Sequence, residues 1–172
     1  MNIAVPLLAI TVGVVVERAK SANPWSDFNW RLVSALPGAP ATPPWTKLSD
    51  DGERATFFAG AADIELHRTE TENYRGNLMS GAPLLWVVLR PSEAKMPYAL
   101  LLVTADPAEG EAMTEAGNDL VDTVPMPEAI LQAVADFVAE HHVDRAFSKR
   151  QRDRADPEAL GRRNPTPDEE QP

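Results

Sequence analysis

The chain has 172 residues, 44% of them hydrophobic, no cysteine and a formal net charge of −10. That length and apolar fraction describe one globular domain and exclude a wholly disordered chain, while the lack of cysteine excludes disulfide scaffolds, thiolate metal sites and cysteine nucleophiles. The charge is uneven: residues 1–144 carry 9 Lys and Arg against 20 Asp and Glu, a net of −11, and residues 145–172 carry 7 against 6, a net of +1. An acidic body repels phosphate backbones, so a nucleic-acid partner is not expected.

Ile3–Val16 is an apolar run with no Lys or Arg before it, shorter than the ~20 residues that span a bilayer and interrupted by Pro6. Its valines predict a buried strand over about Leu7–Glu17. The expectation is a cytoplasmic protein with no membrane partner. Glu17–Gly38 then holds Trp25 and Trp30, and its turn Ser21–Pro24 leads into a strand near Trp30–Leu36. The rings of Trp25, Phe28 and Trp30 are large apolar surfaces that the rest of the chain is expected to cover. Trp25 is also a candidate interaction residue, because it sits in the turn.

Residues 37–46 are rich in proline and read as a loop ending at Trp45, and Asp50-Asp51-Gly52 is a turn signal. Arg54–His67 alternates, with Phe58, Ala62, Ile64 and Leu66 toward the core and Asp63, Glu65 and His67 toward water; Gly60 stands where a bulge is tolerated. The polar trio could reach one metal ion, but no second ligand cluster accompanies it, and the polar face of a strand is the plainer reading. Thr69–Glu72 has capping-box spacing and opens a short helix through Tyr74 and Leu78.

Leu84–Leu89 and Tyr98–Thr104 are apolar on both faces, so they form a hairpin at the middle of the sheet. Asp106-Pro107-Ala108-Glu109 starts a helix with Asp as N-cap and Pro at the first position. Asp119–Val124 returns as a strand. Pro127 opens the strongest helix, striped by Ile130, Leu131, Val134, Phe137 and Val138, which should pack on the sheet over the tryptophans. His141 continues that stripe as a core-edge histidine.

After Phe147 the pattern stops. The domain is therefore 1–148, followed by a disordered charged tail over 149–172 that contains Lys149, Arg150 and Arg152, candidate interaction residues. The class is α+β: a mainly antiparallel sheet of about five to six strands with two or three helices on it. No G-x-S-x-G, G-x-G-x-x-G or Walker lysine loop is present, so no catalytic residue and no cofactor is assigned. Arg18, Arg31, Arg68, Arg75 and Arg90 flank the strands and the short helix; they could clamp a small anion, with Arg90 as the interaction candidate, or pair with nearby carboxylates.

VGVVVER (12–18), NPW (23–25), WRLVSALPG (30–38), ELHR-x-E-x-x-x-Y (65–74), VVLR (87–90), VTADP (103–107), VPMP (124–127) and FSKR (147–150) lie in one order along the chain. Together they resemble a bacterial family known as a domain of unknown function, DUF3305. Its members are often found beside formate dehydrogenase genes and commonly carry the label molybdopterin-guanine dinucleotide biosynthesis protein A. The resemblance implies a non-catalytic accessory or maturation protein for a molybdenum-dependent formate dehydrogenase, acting through protein contacts. The alternative is a protein or enzyme of molybdenum cofactor biosynthesis that binds a small anion such as a pterin or nucleotide. The nucleotidyltransferases of that label carry a Gly-Gly-rich loop after the first strand, where this chain has Glu17-Arg18.

Overall fold

The valine run folds as expected and extends further. In the computed structural model, which describes residues 5–115 and 117–144, strand β1 spans Leu8–Lys20 and β2 spans Phe28–Pro37. Strand β3, Thr46–Asp50, lies where only loop and turn were expected, and β4 spans Arg54–Leu66. These four form an antiparallel sheet in the order β2-β1-β4-β3. Strands β5 (Leu84–Pro91), β6 (Tyr98–Thr104) and β7 (Leu120–Pro125) form a second, in the order β6-β5-β7. The helices are α1 (Thr71–Leu78, after a 3-10 turn at Arg68–Glu70), α2 (Pro107–Thr114) and α3 (Glu128–His141).

The class is α+β with antiparallel pairing, and the seven strands of the described residues divide between two sheets. The reason lies in β1 and β5. Val12, Val14 and Val16 project from one face of β1, and Leu85, Val87 and Leu89 from one face of β5; all are buried in one shared core. Two apolar faces bury each other best when the sheets pack face to face. The other face of β5 is also covered. Val88 is buried there, and α2 lies so close that a Cβ on Gly110 would stand 2.1 Å from Trp86 Cγ, so only glycine fits.

Strand β6 is an edge strand, not a central one, and Leu101 stays 41% exposed. In this second sheet only β5 has a neighbour on each side. Along β4, Ile64 and Leu66 are fully buried and Asp63 and Glu65 exposed, as the alternation predicts. A bulge at Ala59-Gly60 interrupts the ladder to β1, and Gly60 takes φ 136° there. The proline-rich loop is tied down at both ends, Gly38 N donating to Thr11 O (2.9 Å) and Trp45 N to Phe58 O.

Helix α3 does not lie over the tryptophans. Phe137 meets Tyr74 of α1, with ring centroids 6.2 Å apart, whereas Trp30 is surrounded by Trp45, Phe57 and Tyr98. The stripe of α3 is buried against α1 and the shared core, because Val134 and Phe137 reach past the start of β1 rather than its end. The capping box at Thr69 also fails to form. Thr69 Oγ1 donates to Glu70 Oε1, and Glu70 Oε2 accepts from Asn73, so α1 starts at Thr71 with no side-chain cap. Asp106, by contrast, caps α2 by accepting from the backbone N–H groups of Ala108 (2.8 Å) and Glu109 (3.4 Å).

Asn77 closes the joint between α1 and the second sheet. Its side-chain amide donates to Leu84 O (2.8 Å) and Ala105 O (2.9 Å), and its carbonyl accepts from Leu84 N (3.0 Å). The contacts gather residues up to His142 into one unit. The expected tail over 149–172 lies outside the described residues. Among the described residues no helix is long and apolar enough to cross a membrane.

Candidate functional site

The inner row of β1 ends at Arg18, whose register partner on β2 is Trp30. There the aromatic side chains of both sheets converge. Trp30 stands edge-on to Trp45 (5.9 Å, 90°) and to Tyr98 (6.1 Å, 70°), and lies 5.7 Å from Phe57. The guanidinium of Arg18 lies 4.4 Å from the Phe28 centroid and 5.3 Å from that of Phe57, both within cation–π range.

Two hollows open at this end. One, of about 440 Å³, is lined by Arg18, Asp27, Phe28, Trp30 and Tyr98; the other, of about 400 Å³, by Pro44, Trp45 and Ala99. Lys95, Met96 and Tyr98, on the hairpin that joins β5 to β6, line both. Volumes of this size are those of small-molecule pockets. Trp45 forms its wall from a backbone with φ 65°, a left-handed conformation that a bulky side chain rarely takes.

Trp25 and Phe28 are not covered as expected. Trp25 is 92% exposed on the turn that runs into this mouth, and Phe28 is 37% exposed. The turn is nonetheless held: Asn23 Oδ1 accepts from Trp25 N (3.0 Å), and Ser26 Oγ donates to Phe28 O (2.8 Å). Trp25 points outward because the cluster at Trp30 is already filled by rings from β4, β6 and the proline-rich loop.

The arginines divide into two groups. Arg31 Nε donates to Glu17 (2.7 Å), a carboxylate 11% exposed that Arg54 also approaches at 3.6 Å. The hydrogen bond from Arg31 holds the Glu17 carboxyl below its usual range. Arg90 grips Asp119 with two hydrogen bonds, 3.1 and 3.0 Å, and lowers the pKa of that carboxyl too. Arg18 instead faces rings. The other interaction candidates, Lys149, Arg150 and Arg152, lie outside the described residues.

A third hollow, of about 390 Å³, lies where α1 meets α2, lined by His67, Glu70, Asn73, Tyr74, Asp106 and Glu109. Asn73 Nδ2 bridges Glu70 (3.1 Å) and Asp106 (3.2 Å). His67 Nδ1 is buried without a hydrogen-bond partner. The trio read from β4 does not converge. Asp63 accepts from Thr11 (2.7 Å), Glu65 stands 3.7 Å from His67 Nε2, and no group of three potential ligands is placed to hold a metal among the described residues. His141 packs on Phe137 at 4.6 Å, as its place on the stripe predicts.

Tyr74 lies on the floor of this hollow, 1% exposed, its phenol oxygen accepting from His67 N (3.0 Å). Burial pushes the phenol up to about 12. An unfolded chain ionises tyrosine near pH 10, so the fold keeps its full stability below about 10. Between about 10 and 12 only the unfolded state loses the proton, and stability should fall by up to about 3 kcal/mol. Urea midpoints at the two ends of that window should therefore drop further for the native chain than for Tyr74→Phe. Parallel declines would show that Tyr74 ionises freely in the fold.

The family described as "Protein of unknown function (DUF3305)" matches residues 11–151. The chain belongs to this family. The match takes in the whole mouth, from Arg18 to Tyr98, and the turn that carries Trp25. No curated protein and no solved structure matches the chain.

Proposed function

We propose that this family member is a non-catalytic accessory protein acting through contacts with another protein, and that the turn presenting Trp25 is its contact point. The observation that supports this is a tryptophan 92% exposed on a turn whose backbone is fixed by its own side-chain hydrogen bonds. Tryptophan is among the residues most enriched at the energetic centres of protein interfaces, where it fills a pocket on the partner. A turn whose backbone is held in place before binding loses less conformational freedom on docking.

For the partner, the sequence resemblance supports a molybdenum-dependent formate dehydrogenase or one of its maturation factors, in a cytoplasmic setting. The test is a tagged pull-down from cells that make the enzyme, alongside deletion of the gene. The enzyme or a maturation factor should be recovered with the native chain. Trp25→Ala should lose most of that recovery while melting at the native temperature, and deletion should lower formate dehydrogenase activity. If neither is recovered and activity survives deletion, the reading fails.

A further inference from the structure

The aromatic mouth has chemistry that a protein-docking tryptophan does not need. Most of the neighbouring cations are ion-paired: Arg31 and Arg54 share Glu17, Arg90 is on Asp119, Lys20 on Glu53 and Lys47 on Asp50. Arg18 and Lys95 line the 440 Å³ hollow, and among the described residues neither makes an ion pair. In a body of net charge −11, two cations outside any ion pair, set against the Asp27 carboxylate and the charge of Asp50 acting on Arg18, make this hollow less acidic than its surroundings.

Between those cations stand ring faces and edges. Trp30 and Tyr98 line the same hollow, and Trp45 continues the wall into its neighbour. Trp45 holds its ring there from a left-handed backbone, which for such a residue persists only where the surroundings impose it. Asp27 is the carboxylate facing this hollow. It leaves a hydrogen-bond acceptor at the rim.

We infer that the mouth binds a planar heteroaromatic anion of the nucleotide class. The ring lies against Trp30 and Tyr98, the phosphate is held by Arg18 and Lys95, and Asp27 accepts from a sugar hydroxyl or ring N–H. Arg18 suits the phosphate because its guanidinium presents several donors in a rigid plane already stacked on Phe28. The rings supply stacking surface that a free phosphate ion cannot use. A hollow of this volume has room for one such molecule.

Calorimetric titration of the full chain with GMP, AMP, guanosine and inorganic phosphate tests the assignment. GMP or AMP should bind saturably at one site, inorganic phosphate alone should not, and guanosine should bind more weakly than GMP. Arg18→Gln and Lys95→Gln should each weaken nucleotide binding about tenfold and leave guanosine nearly unchanged. Lys95 is exposed on a hairpin, so its variant keeps the test open if Arg18→Gln disturbs the rings. Binding should weaken as salt rises. No saturable heat with either nucleotide, or wild-type affinity in both variants, overturns the inference. Trp25→Ala should bind nucleotide normally, so loss of this site and loss of the protein-docking reading are told apart.

Discussion

Replacing Trp30 with alanine should destabilise the fold by about 3–5 kcal/mol, a large share of the total stability of a small domain. The side chain touches rings from both sheets and from the loop, namely Phe57, Tyr98 and Trp45. Its removal leaves a cavity between sheets that cannot close without moving β6 toward β4. Trp25→Ala should leave the denaturation midpoint where it is, since a ring 92% exposed has little buried surface to lose. Denaturant midpoints of both variants, measured with no partner present, decide the matter. Equal losses would mean that Trp25 is covered in solution.

The second large effect is expected at Asn77→Ala, about 3 kcal/mol or more, the low end of the sum over its orphaned groups. The residue is 4% exposed, and one amide satisfies Leu84 O, Ala105 O and Leu84 N. Alanine leaves all three backbone groups without that partner in a site closed to water, at about 1–3 kcal/mol for each. Asn77→Asp should be nearly as damaging, because a carboxylate cannot donate to the two carbonyls. Hydrogen exchange should show the loss first at Leu84 N, before global unfolding. If Asn77→Ala melts within a degree or two of the native chain, water replaces the amide and the joint is not dry.

Signals carried by neighbouring residues were legible. The valines of β1, the alternation of β4, the doubly apolar β5, the Asp106-Pro107 start of α2 and the stripe of α3 all form where period and capping predict. Strand β3 was not, because TKLSD has one large apolar residue and becomes a strand only by pairing with β4. The capping box at Thr69 misled for a related reason: Thr69 Oγ1 donates to Glu70, and the box's own Glu72 lies 3.4 Å from His142, far along the chain. The candidate site was half visible. Trp25 and Trp30 stood out as residues, but their opposite fates did not.

The sequence by itself determined the three helices and every described strand but β3, that pairing is antiparallel, that the class is α+β, and that the body is acidic. These follow from side-chain period, turn residues and charge count, all of which act over a few residues or over none. Tertiary structure alone decided that the strands split into two facing sheets and that β6 lies at an edge. It also decided that Arg90 is bound to Asp119 while Arg18 is left facing rings. Each of those outcomes depends on which distant side chain arrives first at a shared face. A tryptophan, like an arginine, reads the same in sequence whether that place is filled or open. Trp30 found Tyr98 across the gap and Phe57 on its own sheet, and Trp25 found water.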